Sequence, residues 1–349
     1  MIDSTPIGTS RIGKNLTPYE KTKNGWKKSK KDISNILSTV KLFKSHNKFN
    51  ELIDQKNTNF LKGQLSSEGK VQGARINILP NGDKLDKAFS LFAPNLTFHD
   101  ESSHDHWDVI YKNPNGKYAY LYTQNKIKKA VKNKYKKVKS FENKYDLLNK
   151  NLLNALIKEK DDTVLPMYTL LKTYMRVGNE MYYKSTGHKG LTTLTKNDVE
   201  IEKNKATFNY IAKSGVPITI SERFPEEYIK KLKEKLSEKK ESDFIFTNSK
   251  GAPLKDTDFM RAFEKYCGEK FYPHIVRSFY ATKEARNFLS NHKKASKEEI
   301  KELFTKIAEK LGHKRFDKKQ GEWKDNYTVT IHHYIQPELV EKIENLTKD

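Results

Sequence analysis

The spacing of apolar positions along the chain changes character several times. Residues 1–68 hold one short helical pattern, Ile33, Ile36, Leu37, Val40, Leu42 and Phe43, after the basic run Lys27-Lys28-Ser29-Lys30-Lys31. Without sustained periodicity, this part reads as an N-terminal extension whose order the pattern does not assign. From Val71 to Tyr122 the texture becomes short apolar runs separated by turn signals. Ala74 to Leu79 leads into Pro80-Asn81-Gly82-Asp83, and Trp107 to Tyr111 leads into Asn113-Pro114-Asn115-Gly116. That last tetrapeptide predicts a hairpin returning through Lys117 to Tyr122, so residues 69–124 are expected to form a small β-rich domain. Tyr118, Tyr120 and Tyr122 alternate, which gives one face of that strand an aromatic character; core packing is the expected use. Residues 125–140 are read as a basic linker. From 141 to 349 helical spacing dominates. Leu147, Leu148, Leu152, Leu153, Leu156 and Ile157 form one amphipathic stripe, and an apolar helix opens at Pro166 and runs to Met175. Thr207 to Ile211 and Val216 to Ile220 flank Lys213-Ser214-Gly215 as the limbs of a hairpin, and the stretch Lys314–Asp325 reads as an inserted loop. The fold class expected is α+β: a small β-rich domain followed by a mainly helical one that carries a β-hairpin.

Charge narrows the partner. The 349 residues include 67 Lys and Arg against 44 Asp and Glu, a net charge of +23. An excess of that size points to a polyanion, although a Lys- and Asn-rich base composition would produce part of it. Eight lysines fall between Lys126 and Lys139, with no acidic residue among them. Lys126, Lys128, Lys129, Lys132, Lys134, Lys136 and Lys137 are therefore candidates for phosphate contact; a solvated helix face and nuclear targeting are the other readings. The single cysteine, Cys267, excludes a disulfide framework and a multi-cysteine zinc site. No run approaches eighteen apolar residues and the first residues do not resemble a signal peptide. A reduced intracellular setting (cytoplasm, nucleus or viral particle) is expected, with no membrane.

Neither a nucleotide-binding glycine loop nor a His-Glu-x-x-His helix occurs, so no cofactor is expected. His104 and His106 alternate near Asp100, Glu101 and Asp105, a pattern that suits an exposed acidic loop better than a metal site, and no metal is assigned. The informative residues are isolated basic ones at the ends of elements. Arg176 follows the apolar run 167–175 and precedes Val177-Gly178-Asn179. Arg277 sits among apolar neighbours in His274-Ile275-Val276-Arg277-Ser278-Phe279. Lys213 occupies a hairpin tip, and His313 ends Leu311-Gly312-His313. An arginine among apolar residues needs an anion to offset its desolvation; for either arginine alone, a buried pair with a glutamate would serve. As a set the residues suit phosphoryl transfer. Two guanidinium groups fork onto non-bridging oxygens, a histidine donates to the same group, a lysine supplies a proton and a tyrosine attacks.

With these residues in place, the chain resembles the type IB DNA topoisomerases, in particular their small viral and bacterial forms. The resemblance rests on Arg176-Val177-Gly178-Asn179-Glu180, Tyr183, Gly190-Leu191-Thr192-Thr193-Leu194 and Phe208 to Gly215 in that order. Arg277-Ser278-Phe279, Ala281-Thr282 and His333-Tyr334-Ile335-Gln336-Pro337-Glu338-Leu339-Val340 extend it. It covers roughly residues 70–349, most strongly 165–220. It implies a clamp around duplex DNA, with Tyr334 as nucleophile forming a 3′-phosphotyrosyl link and Lys213 protonating the leaving 5′ oxygen. Arg176, Arg277 and His313 would hold the phosphate, with His274 in support. Relaxation of positive and negative supercoils without ATP or metal would follow.

Two departures keep an alternative open. His274 stands where the family usually has Lys, and His-x-x-Arg with Leu-Gly-His is the spacing of tyrosine recombinases and telomere resolvases, which turn the same chemistry to strand exchange. His313 also lies 21 positions before Tyr334, farther than usual, which makes His332 or His333 the alternative histidine and Tyr327 the alternative nucleophile. Only residues 338–349 remain after the Tyr334 segment, short for a swapped helix, and a monomer is expected.

Overall fold

The structure is a computed structural model of the whole chain and describes residues 4–73, 76–99, 106–158 and 160–347. Ala74, Arg75, His104 and the acidic residues around it lie outside the described residues. Two compact units divide at Lys132 and Asn133, and together they make a mixed α+β chain.

The first unit is assembled from short antiparallel strands. β1 (Ser10–Ile12), β2 (Pro18–Thr22), β3 (Gly25–Lys28), helix α1 (Ser34–Ser45), β4 (Gln64–Leu65) and β5 (Val71–Gln72) come first. Their sheet has the order β3-β2-β1-β4-β5. β6 (Ile76–Ile78) and β7 (Lys84–Phe89) form a separate hairpin, and β8 (Thr97–Phe98), β9 (Val109–Lys112) and β10 (Tyr118–Leu121) form a third sheet. The predicted turn at residues 113–116 joins β9 to β10, with Tyr118 opposite Lys112.

Residues 4–68 take part in this unit. Ile12, Val40, Phe43, Leu52 and Leu61 share one core with Ile76, Leu85, Phe89, Val109 and Leu121. The helical pattern from Ile33 becomes α1, with Ile36, Val40 and Phe43 on its buried face. The aromatic face of β10 differs from expectation. Tyr118 is 49% and Tyr120 40% exposed, while Leu121 and Ala119 point to the core. Leu121 sets this orientation, because side chains alternate strictly along a strand and only one set can face inward. Tyr120 instead stacks on His106, ring centroids 5.7 Å apart.

The unit boundary falls within a single helix, α2 (Gln124–Lys158). Residues 125–140, expected as a linker, are helical throughout. The 35 residues contain neither Gly nor Pro, and lysine is a good helix former. Buried Val138, Phe141, Leu148, Leu152, Ala155 and Leu156 continue the predicted stripe toward the N-terminus, while Leu147 and Ile157 are exposed.

Helices dominate the second unit. After α3 (Val164–Thr173) and α4 (Glu180–Thr186) comes an antiparallel sheet of β11 (Val199–Glu202), β12 (Lys205–Ala212) and β13 (Val216–Arg223). Then follow α5 (Glu226–Ser237), α6 (Asp256–Cys267), α7 (Ile275–Asn291), α8 (Lys297–Lys310), the strand pair β14 (Lys314–Asp317) and β15 (Glu322–Asp325), α9 (Thr328–His333) and α10 (Pro337–Asn345). One core joins α2, α3, the sheet, α5, α6 and the start of α7. A second gathers α7, α8 and α10 around Tyr334, Ile335 and Ile343. No described helix is long and apolar enough to cross a membrane.

Candidate active site

Each site residue is delivered by a local feature legible in the chain. Helix α3 ends at Tyr174, a left-handed residue (φ +56°), and Arg176 follows in extended chain. That stretch is pinned from the other side: the Leu191 and Thr192 amides donate to the carbonyls of Arg176 and Val177 at 2.8 and 2.6 Å. The approach requires two glycines. Gly178 has φ +100°, and a Cβ on Gly190 would sit 2.7 Å from the Gly178 backbone nitrogen and 2.8 Å from the Arg176 carbonyl. The Arg-Val-Gly-Asn and Gly-Leu-Thr-Thr segments therefore act as one backbone clasp that sets the origin of the Arg176 side chain. Asn179 then caps α4, accepting from the Tyr182 amide at 2.9 Å.

Arg277 lies on the first turn of α7 and is 3% exposed. Its guanidinium donates to the Tyr174 carbonyl, to the Leu311 carbonyl at 2.8 Å and to His313 Nε2 at 3.0 Å. Two carbonyls and an imidazole thus stand where the alternative of a buried Arg–Glu pair would put a carboxylate. Its Nε–H is buried without an acceptor among the described residues. His313, 8% exposed, is fixed by Thr330 Oγ1 at 2.8 Å from Nδ1. Because a guanidinium can only donate, Nε2 is the accepting nitrogen and Nδ1 carries the proton toward Thr330.

These groups surround Tyr334, the residue that ends α9. The Tyr334 ring is 3% exposed and lies 4.7 Å from the His313 ring, 5.1 Å from the His274 ring and 5.2 Å from the Arg277 guanidinium carbon. Arg176 Nη2 donates to its hydroxyl at 2.9 Å. Lys213 is exposed at the β12–β13 tip, where Ser214 and Gly215 both take positive φ (+68° and +80°) and reverse the chain between Ala212 and Val216. Lys213 lines a cavity of about 720 Å³ together with Arg176, Arg277 and His313, and a second of about 490 Å³ with Arg176 and His274. The structure therefore brings Arg176, Arg277, His313 and His274 around Tyr334 and sets Lys213 on the wall of the adjoining space.

The long interval between His313 and Tyr334 has a simple geometry. Residues 314–325, expected as a loop, fold as an antiparallel pair, Lys314 opposite Asp325. The Asn326 amide then donates to the His313 carbonyl at 2.9 Å, so the excursion closes where it began. Of the alternatives, His332 and His333 are exposed, and Tyr327 packs near Phe304.

The basic run divides by exposure and partner. Lys128, Lys129, Lys132 and Lys136 are exposed. Lys126 pairs with Asp108 at 3.0 Å and Lys137 with Glu269 at 2.9 Å, while the Lys134 amine donates to the His333 carbonyl. The contacts of Thr330, Thr282 and Tyr135 are not legible in the sequence, since nothing in their spacing marks them.

Burial foremost, then the charges of Arg277 and Arg176, hold both His274 and His313 down at about 3. Both imidazoles are neutral at physiological pH. An unfolded histidine titrates near 6.5, so as pH falls below that value the unfolded chain takes up protons that the folded site refuses. The stability contribution is complete above pH 6.5 and is lost as pH falls toward 3. At pH 5 the loss is about 2 kcal/mol for each histidine. The melting temperature should therefore fall between pH 7 and 5, and a His274→Gln, His313→Gln double variant should show a shallower fall. An unchanged slope in that variant would contradict the buried neutral state.

No curated protein matches the chain. Among solved structures, the XerH site-specific recombinase bound to difH substrate, in a pre-cleavage complex, is similar at 18% identity and a TM-score of 0.33, over 48% of this chain and 45% of that one. The post-cleavage complex on palindromic difH gives 19% and 0.31, over 48% and 44%. This chain thus spans less than half the length of either. The family model that matches is the catalytic core of eukaryotic DNA topoisomerase I, over residues 124–343. That stretch holds Arg176, Lys213, His274, Arg277, His313 and Tyr334 and most of the chain, and the protein belongs to the family of the eukaryotic DNA topoisomerase I catalytic core.

Proposed function

We propose that this protein is a type IB DNA topoisomerase that relaxes supercoils of both signs by cleaving and rejoining one strand of duplex DNA. The observation that carries the reading is the Tyr334 hydroxyl, held by Arg176 and ringed by Arg277, His313 and His274 beside an open cavity. A phosphodiester entering from the cavity meets Arg176 and Arg277 as donors to its non-bridging oxygens. The unpaired Nε–H of Arg277 is a buried donor of the kind an anion satisfies. As a negatively charged oxygen replaces His313 as the acceptor for Arg277, His313 gains an anionic neighbour and becomes able to take up a proton and donate.

In the reaction, Tyr334 Oη loses its proton to water and bonds phosphorus. The bond from phosphorus to the 5′ oxygen breaks, and Lys213 gives that oxygen a proton. The product is a 3′-phosphotyrosyl link and a free 5′-hydroxyl. The free end swivels, and the hydroxyl attacks the phosphotyrosine in reverse, regenerating Tyr334. The energy of the broken bond is kept in the new ester, so ATP is not required, and the arginines neutralise the pentacoordinate phosphate that Mg²⁺ would otherwise serve. Membership of the topoisomerase I family supports the same chemistry.

The test is relaxation of positively and negatively supercoiled plasmid with a chelator present and ATP absent, with detergent quenching to trap protein on DNA. Relaxation of both signs, with protein on the 3′ end of the nick, is expected. An adduct without relaxation would replace this reading with strand exchange. Protein on the 5′ end, or a requirement for ATP, would overturn the mechanism.

A further inference from the structure

The backbone that carries Tyr334 is held at three successive carbonyls by side chains from elsewhere in the unit. Helix α9 stops at His333 and α10 starts at Pro337, so the carbonyls between them have few helical amides to meet. Lys134 donates to the carbonyl of His333, Thr282 Oγ1 to that of Tyr334 at 3.3 Å, and Tyr135 Oη to that of Ile335 at 2.6 Å. Lys134 and Tyr135 are neighbours on α2, about 200 positions away in sequence, and both are half-buried. The Lys134 amine also lies 5.6 Å from the centre of the Tyr334 ring.

We propose that Lys134 and Tyr135 are positioning residues for the nucleophile, gripping the peptides on either side of Tyr334 so that its hydroxyl is presented at Arg176. The inference rests on the reading of Tyr334 as the attacking group and adds to it how that group is aimed. Transfer to phosphorus needs the attacking oxygen within about 3–3.5 Å and in line, and a displacement of about 1 Å can cost about a hundredfold in rate. A tyrosine on a short segment between two helices is free to swing unless its backbone is fixed. The two donors suit that task. Burial, and then the Glu338 charge, push the Tyr135 phenol up, so it stays a donor throughout the working range. Burial pulls the Lys134 amine down. The basic run thereby contains one lysine whose role differs from that of exposed Lys128, Lys129, Lys132 and Lys136.

The test compares Tyr135→Phe, Lys134→Met and Lys134→Gln with the wild-type chain. The readouts are the rate of detergent-trapped adduct formation on supercoiled plasmid at saturating enzyme, and DNA affinity across a salt series. Tyr135→Phe removes only the hydroxyl and leaves the ring in place. It should slow adduct formation about tenfold, the size expected when one ordinary hydrogen bond ceases to hold a reacting group. Its affinity and salt dependence should equal those of the wild type. Lys134→Met should slow the step by at least as much, and Lys134→Gln, which keeps a donor without the charge, should recover part of the loss. Wild-type rates in Tyr135→Phe would overturn the proposal. So would a Lys134→Met defect that disappears at saturating enzyme with a shallower salt dependence, which would make Lys134 a phosphate contact. Absence of any adduct from the wild-type chain would instead remove the nucleophile assignment itself.

Discussion

Tyr334→Phe should form no covalent adduct and relax no plasmid, with cleavage down by a factor on the order of 10⁴ or more, the loss seen when an enzyme's only nucleophile is deleted. The substitution is close to a pure deletion of one oxygen. The ring packs among His274, His313 and Arg277, and phenylalanine keeps those contacts. The hydrogen bond lost is the one from Arg176, which leaves that guanidinium free to turn to a phosphate. DNA affinity should accordingly be equal to or slightly tighter than wild type, and the melting temperature should change little. Measuring adduct, relaxation and affinity on one preparation separates chemistry from binding. An adduct that survives in Tyr334→Phe would move the nucleophile to another residue, with Tyr327 first to be examined by peptide mapping of the DNA-linked fragment.

Lys213→Ala is expected to slow cleavage by about 10²–10⁴, the range for loss of a positioned general acid. The hairpin tip should tolerate the change: the side chain is exposed, and the reversal depends on Ser214 and Gly215. The decisive form of the experiment replaces the bridging 5′ oxygen at the cleaved phosphate by sulfur. An alkoxide is a poor leaving group without a proton, whereas a thiol has a pKa near 8.5 and departs as thiolate. Lys213→Ala should cleave the sulfur-bridged DNA at close to the wild-type rate. Tyr135→Phe, which acts through the nucleophile, should stay slow on the same substrate. A Lys213→Ala defect of equal size on both substrates would make the lysine a phosphate contact instead of the proton donor.

The sequence was most informative where backbone constraints leave a chemical imprint. The glycines at 178 and 190 permit a main-chain approach no other residue allows, so the motifs holding them mark the position of Arg176. Lys213-Ser214-Gly215 is similar, because two successive positive φ values favour its small polar composition. Much of the first unit was less legible. Its strands β1 to β5 are two to five residues long, too short for alternation to register, and their core forms only with partners dozens of positions away. The outward turn of Tyr118 and Tyr120 departs from the expected core packing because alternation names two faces and does not say which is wet. Leu121 decides it, and its weight appears only once the core is assembled. Lys134 and Tyr135 were hidden for another reason. A lysine in a run of lysines has no mark of its own, and its bond to a carbonyl 199 residues away is a property of the packed unit.

The strand pair between His313 and Asn326 has a consequence for how this chain tolerates changes in length. Because it leaves and rejoins the unit at one hydrogen bond, residues can be added to or removed from its distal turn at Lys318 to Gly321 without displacing either end. The entropic penalty of such lengthening grows only logarithmically. The count of residues separating histidine from tyrosine is therefore a slack variable of this fold, one that can change while the distance between the two rings stays fixed. A search keyed to that interval would pass over sequences whose reactive geometry is the same as this one.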